Sequence, residues 1–223
     1  MPTVVPYHRT VQELLSKKFT IDDYQREYKW ERKQIEELIR DLRDKFVSQY
    51  RAEHATTDVG HYETYFLGSI IVSHRDGANY LIDGQQRTTS LTLLLIWLYH
   101  RLTDAKLHDA AVEVGRLIYS NTRGARSFNL DIPERTPVLK ALFERVKFDR
   151  EHQPESLVNM DKRYEEIEKE LGGEFEEGGS MSGALEHFCY WLIGSVGVIE
   201  ISTNDDAYAY AIFETMNDRG KPL

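Results

Sequence analysis

Residues Leu81 to Leu91 read LIDGQQRTTSL. An apolar pair, Leu81 and Ile82, meets an acid and a glycine, then two glutamines and an arginine, before Thr88, Thr89 and Ser90 open a long apolar stretch. As a strand followed by a helix, this joint places Asp83 and Gly84 at the end of the strand and starts a helix at Arg87. The first N–H groups of a helix have no internal acceptors and sit at the positive end of its dipole, so they form a ready anion site. Gly84 allows close backbone approach to a ligand. Arg87 can fork onto phosphate oxygens, and Thr88 and Thr89 supply hydroxyls. Gln85 and Gln86 suit a sugar, a base edge or an attacking water, and Asp83 suits a metal or a ribose hydroxyl. The alternative is plainer: Asp83 caps the helix and the glutamines are surface residues. The residues alone leave both open. Neither G-x-x-x-x-G-K-[ST] nor G-x-G-x-x-G occurs.

Working outward, Tyr65 to Ser73 (YFLGSIIVS) is rich in β-branched and aromatic residues and reads as a strand. HRDGAN carries Asp-Gly, a hairpin signal, and Tyr80 to Ile82 returns as the partner strand. Arg87 to Leu102 is apolar on nearly every side and predicts a helix through the middle of the domain. Upstream, Val11 to Phe19 reads as a short helix and turn, and Lys33 to Tyr50 as an amphipathic helix with Ile35, Leu38, Ile39, Leu42 and Phe46 on one stripe. FTIDDYQREYKWE follows neither period, and RAEHATTDVGHYE is a polar loop. Downstream the spacing predicts helices over Ala110–Ser120, Pro137–Val146 and Leu157–Leu171, with a short strand near Ser127–Leu130. An acidic, glycine-bearing break follows in EEIEKELGGEFEEGGSMSG. Ser195–Ile201 reads as a strand and Asp205–Met216 as a helix capped by Asn204 or Asp205. Asn-Asp-Arg-Gly then signals a turn. The division expected is a core with the joint over 1–103, a helical segment over 104–192, and a returning strand, helix and turn over 193–223. The ending NDRGKPL, with nothing apolar after it, reads as a domain whose chain continues.

Composition narrows the function. At 41% hydrophobic and 29% charged, the 223 residues make an ordinary globular chain with a real core. A net charge of -9 excludes a uniformly basic coat for nucleic acid, though not a local basic groove. The single cysteine, Cys189 in FCYWLI, excludes an internal disulfide framework and reads as a core thiol. The histidines show no H-x-x-x-H or H-E-x-x-H, and Ser73 and Ser90 lack a nucleophile elbow. No signal peptide is visible, and the longest apolar run, Leu93 to Tyr99, is too short to span a membrane, so a soluble cytoplasmic protein is expected. Two further clusters stand out. YQREYKW places Gln25 and Arg26 among aromatics; with Lys29, Arg32 and Lys33 around Tyr24, Tyr28 and Trp30 it suits DNA contact by stacking and charge. Its alternative is an arm packed on the core with Trp30 as anchor. FETMNDRGKPL puts Asn217, Asp218, Arg219, Gly220 and Lys221 after a helix, where a plain helix end is the alternative.

Three segments, DDYQREYKWERKQIEELIRDL, YFLGSIIV with YLIDGQQRTTSLTLLLIWL, and AIFETMNDRGKPL, resemble the successive signatures of the ParB-like N-terminal domain of GmrSD type IV restriction enzymes. The same domain occurs in phosphorothioate-sensing antiphage proteins of the SspE kind, and the resemblance spans nearly the whole chain. It implies an α+β fold with a ParB/sulfiredoxin-like core and a helical second half. It implies a bacterial, cytoplasmic domain that binds, and in several relatives hydrolyses, a nucleoside triphosphate (GTP, ATP or CTP) with Mg2+. Carried over, the phosphate loop falls on Asp83, Gly84, Gln85, Gln86 and Arg87, the early signature on Gln25 and Arg26, and the closing one on Asn217, Arg219 and Gly220. In the favoured expectation Arg87 and the helix terminus bind phosphate, Gln86 or Gln85 places the attacking water, and Asp83 holds metal or polarises that water. Thr88 and Thr89 would add nucleotide contacts, and Tyr28, Lys29, Trp30 and Arg32 would meet DNA, in relatives a modified phage DNA. The implied partner is a C-terminal HNH-type nuclease half, which cannot be assembled from this chain, and a homo-oligomer is open. The rival is a non-catalytic nucleotide- or DNA-binding switch. A nuclease in its own right lacks a convincing carboxylate cluster.

Overall fold

The computed structural model describes residues 5–22, 27–122 and 125–219. The joint is flanked by a tight hairpin, strand β2 (Tyr65–Arg75) and strand β3 (Ala78–Asp83). Asp76 and Gly77 at its turn take φ of 51° and 75°. Positive φ at both central residues is what a two-residue turn of this hand requires, and Asp-Gly supplies it.

Strand β6 (Val196–Thr203) lies parallel to β2, and strand β1 (Val5–Thr10) lies antiparallel to β6. The sheet order is therefore β1-β6-β2-β3. The last strand to be made occupies an interior position, so the sheet closes only when residues near both ends of the described chain meet. β1 was not anticipated. Val5, Tyr7 and Thr10 favour a strand but Pro6 argues against one, and an edge position, where Pro6 needs no ladder partner on its outer side, resolves the conflict.

Both faces of the sheet are covered, which is why β2 reads as a continuous apolar run. Ile70, Ile71 and Val72 are all fully buried. Ile70 and Val72 join the main core, while Ile71 belongs to a second cluster with Ile82 and Ala209. The main core is threaded by helix α3 (Gln85–Asp104), in which Leu93, Leu94, Leu95, Ile96 and Leu98 have no solvent exposure. Around it lie α1 (Val11–Leu15), α2 (Arg32–Val47), α4 (His108–Ile118), α5 (Thr136–Phe143), α6 (Glu155–Leu171) and α7 (Leu185–Gly194). α8 (Asp206–Arg219) covers the opposite face on β2, β3 and β6. The architecture is α+β, a small mixed sheet with helices on both sides.

Several boundaries differ from expectation, α2 and α5 each ending three residues early among them. α3 starts at Gln85 rather than Arg87, because Gly84 with φ 87° serves as its N-cap. The strand expected near Ser127–Leu130 is half of a hairpin, β4 (Tyr119–Thr122) with β5 (Ala125–Phe128), which shortens the preceding helix to Ile118. α7 fills the FCYWLI region, where Phe188, Cys189, Trp191 and Leu192 are fully buried. α8 runs on to Arg219 through the Asn-Asp-Arg stretch read as a turn. The break signals, Gly220 and the restricted residue before Pro222, lie just past it.

Candidate functional site

The joint lines a groove of about 380 Å³ formed by Glu27, Lys29, Trp30, Ile82, Asp83, Gly84, Gln85, Gln86, Arg87 and Phe213. Its floor is the start of α3. The first helical bond runs from Thr88 N–H to Gly84 O at 2.9 Å, and the amides of Gln86 and Arg87 have no acceptor among the described residues. Gly84 gets the helix close to the sheet: a Cβ there would stand 2.4 Å from Ile70 Cγ2. The glycine thus serves strand–helix packing as well as backbone conformation.

Arg87 is half-buried. Its Nη1 donates to Ser69 O at 2.9 Å, and its guanidinium lies against Gly68, where an added Cβ would meet Nη2 at 3.1 Å. Gly68 takes φ 102° at an irregularity in the β2–β6 pairing, and this bend in the strand makes the guanidinium's seat. No carboxylate stands within ion-pair distance of Arg87 among the described residues. Burial lowers its pKa, and the nearby Asp83 charge opposes that shift. A buried, weakly compensated cation favours an anion beside it. Asp83 lines the same groove, and its carboxylate accepts no hydrogen bond from a described residue.

Several expected site residues do other work here. Gln86 clamps the arm Glu27–Trp30: its Oε1 accepts from Lys29 N at 2.8 Å and Trp30 N at 3.2 Å, and its Nε2 donates to Glu27 O at 2.9 Å. Its oxygen accepts twice and one of its two N–H groups is engaged, so accepting from an attacking water would require the arm to let go. Gln85 is buried and donates to Leu81 O at 3.0 Å. Thr88 and Thr89 are buried, and their hydroxyls donate back to Gly84 O and Gln85 O, so they do not line the groove. Thr89 Oγ1 also accepts from Arg135, a fully buried guanidinium whose pKa burial lowers to about 10. Helical Ser and Thr satisfy themselves on the preceding turn when buried, and that corrects the reading of both threonines as ligand contacts.

The arm divides in the same way. Tyr28 is 1% exposed, its hydroxyl meets Ser90 Oγ at 2.8 Å, and burial pushes its pKa up to about 12. It is a core residue and cannot stack on DNA. Ser156 and Arg163 from α6 fix the arm's other side, the first accepting from Tyr28 N at 2.8 Å and the second donating to Trp30 O at 3.0 Å. Lys29 and Arg32 are exposed, but each already faces a glutamate, Glu27 at 2.7 Å and Glu36 at 2.5 Å. Gln25, Arg26 and Gly220 lie outside the described residues, as do the side chains of Asn217 and Arg219.

α8 is latched beside the groove by Arg75, which bonds both Asp22 and Asp206 and lies 3.6 Å over the Tyr80 ring. Tyr210 donates to Asp22 at 2.5 Å. The latch brings Phe213 to the groove. Sequence reasoning missed Phe213, Glu27 and Gly68; only Gly68 carried a signal, a glycine inside a strand pattern, which marks a bulge or a close approach.

The described residues hold no group of three or more His, Cys, Asp or Glu that could bind a metal, and no helix long and apolar enough to cross a membrane. Fold and groove together define an α+β domain whose strand-to-helix joint opens on solvent beside a cation. The family model described as the GmrSD restriction endonuclease N-terminal domain matches residues 11–223, and the chain belongs to that family. It is therefore part of a type IV restriction system. No curated protein matches the chain.

Proposed function

We propose that this chain is the nucleoside-triphosphate-binding regulatory domain of a modification-dependent restriction protein, and that the phosphates dock on the start of α3. The observation that supports this most strongly is Arg87, half-buried and, among the described residues, with no carboxylate at ion-pair distance, next to two helix amides that have no described acceptor. Phosphate oxygens satisfy all three. Asp83, at the same groove and without a hydrogen-bond donor among the described residues, suits Mg2+ held jointly with phosphate oxygens. GTP, ATP and CTP share the chemistry this part of the groove recognises.

Hydrolysis is the stronger form of the proposal, with Asp83 polarising water and Gln86 orienting it. The engagement of the Gln86 amide with the arm favours a second reading, a switch that binds nucleotide without turning it over. Phosphate release from the four NTPs with Mg2+, with and without modified DNA, separates the two. Turnover above that of Arg87→Ala supports the hydrolase; tight binding with no release supports the switch. The partner nuclease half and modified DNA follow from family membership as part of the same proposal. Arm contact with DNA through Lys29, Trp30 and Arg32 predicts affinity that falls with rising salt; a flat response leaves the arm a structural element.

A further inference from the structure

Two aromatic side chains line the groove from different elements. Trp30, on the arm, is half-buried with its back against the main core, and Phe213, on α8, is half-buried against the second cluster. Each is anchored by a different hydrophobic cluster, yet both line the groove. Trp30 and Phe213 make no ring contact with each other. Two aromatic side chains lining one cavity of about 380 Å³, inside the range of small-molecule sites, suit a flat conjugated ring.

We propose that the groove takes a free nucleotide with its base held by stacking on Trp30 and Phe213, and that the site reads the face of the base and not its edge. This rests on the phosphate reading above. Edge reading needs polar side chains with bonds to give, and in the phosphate reading Arg87 and Asp83 are taken by the phosphates and Mg2+. Gln86 spends its Oε1 and one of its two Nε2 hydrogens on the arm, and Gln85 donates to Leu81 O. Glu27 and Lys29 pair with each other at 2.7 Å on the rim, where both are about three-quarters exposed. A stacking platform without edge contacts tolerates every base, because each has a π-face.

A nucleic-acid strand would present the same base and phosphate chemistry, and the lining argues against it. Among the described residues Arg87 and Lys29 are its cations and Glu27 and Asp83 its carboxylates, and the chain carries a net charge of -9. A polyanion needs a continuing basic track; a single triphosphate needs one cation and a helix terminus.

The test is isothermal titration of the full chain with ATP, GTP, CTP, UTP, inorganic tripolyphosphate and a single-stranded oligonucleotide, in wild type, Phe213→Ala, Phe213→Tyr and Trp30→Phe. The four NTPs should bind within about tenfold of one another and more tightly than tripolyphosphate. Phe213→Ala should weaken all four by about 5- to 150-fold, the range of a lost base stack, and leave tripolyphosphate affinity unchanged. Phe213→Tyr and Trp30→Phe, which keep a ring, should retain most NTP affinity. Tripolyphosphate binding as tightly as the NTPs would overturn the base site and leave the phosphate site standing. So would a spread among bases above about a hundredfold, an equal loss of tripolyphosphate affinity in Phe213→Ala, or tightest binding to the oligonucleotide. Failure of tripolyphosphate and every NTP to bind wild type would overturn the phosphate reading itself.

Discussion

Replacing Gln86 with alanine tests the most specific claim about the arm. The side chain makes three backbone hydrogen bonds, at 2.8, 3.2 and 2.9 Å, which together hold Glu27 to Trp30 against the start of α3. A net contribution of roughly 0.5–1.5 kcal/mol per bond gives about 1.5–4.5 kcal/mol. Water can replace part of this at the exposed Lys29, so about 1–3 kcal/mol of local stability remains at stake. Opening of the arm should then become about 5- to 150-fold more frequent. Native-state amide exchange reads this directly at Lys29 and Trp30, whose N–H groups both donate to Gln86 Oε1. Global melting should move little, because Ser156 and Arg163 still grip the arm from α6. Gln86→Glu keeps the acceptor but loses the donor to Glu27 O, so it should fall between wild type and alanine. Unchanged protection at Lys29 and Trp30 in Gln86→Ala would refute the clamp, and with it the reason for doubting a water-placing glutamine.

Other outcomes follow from the same geometry. Gly84→Ala combines a left-handed φ of 87° with a Cβ 2.4 Å from Ile70 Cγ2. Strain and overpacking should together cost about 2–5 kcal/mol, lowering Tm by roughly 4–20 °C; Gly77→Ala, at φ 75° with nothing within 4 Å, should show the strain alone. The Glu200 carboxylate is buried on β6, and although burial raises its pKa, the bonds from Lys17 and Ser202 and the charges of Lys17 and Arg9 hold it below the usual carboxylate range. Its stabilisation is therefore present above the ordinary glutamate pKa of about 4.3 and disappears as pH falls through the lower folded value. Glu200→Gln should be less stable than wild type at pH 7 by about 1–3 kcal/mol, with a gap that closes on acidification; a gap independent of pH in denaturant melts would contradict the sign. Arg75→Leu should raise exchange in α8, notably at Ala209 N–H, which bonds Asp205 O at 2.9 Å, while α3 amides stay protected; equal loss in both helices would mean Arg75 is no local latch.

The strongest signals in the sequence were those in which local chemistry and burial agree. Asp76-Gly77 could only be a tight hairpin, and the leucine run of α3 could only be interior. β1 was illegible because Pro6 masks the strand preference of Val5, Tyr7 and Thr10, and its partner β6 lies nearly 200 residues away in the chain. α8 outran its expected end because Asn-Asp-Arg signals a turn only when nothing else continues the helix. At the site, residue types pointed to the joint but not to their partners. Thr88 and Thr89 looked like ligand hydroxyls, yet burial turns them onto the preceding turn. Tyr28 looked like a stacking residue, yet its hydroxyl is spent on Ser90 in the core. Phe213 reaches the groove through a latch built from Asp22, Arg75 and Asp206, three residues whose proximity only the fold creates.

The central claim is that the mouth of α3 accepts an anion because, among the described residues, Arg87 has no carboxylate at ion-pair distance and the amides beside it have no acceptor. Calorimetric titration of tripolyphosphate into wild type and Arg87→Gln measures it with no base and no DNA in the way. Wild type should bind, and Arg87→Gln should bind about 10- to 150-fold more weakly, the loss of one charge-assisted contact. Equal affinity in the two proteins, or no heat with wild type, would contradict the account.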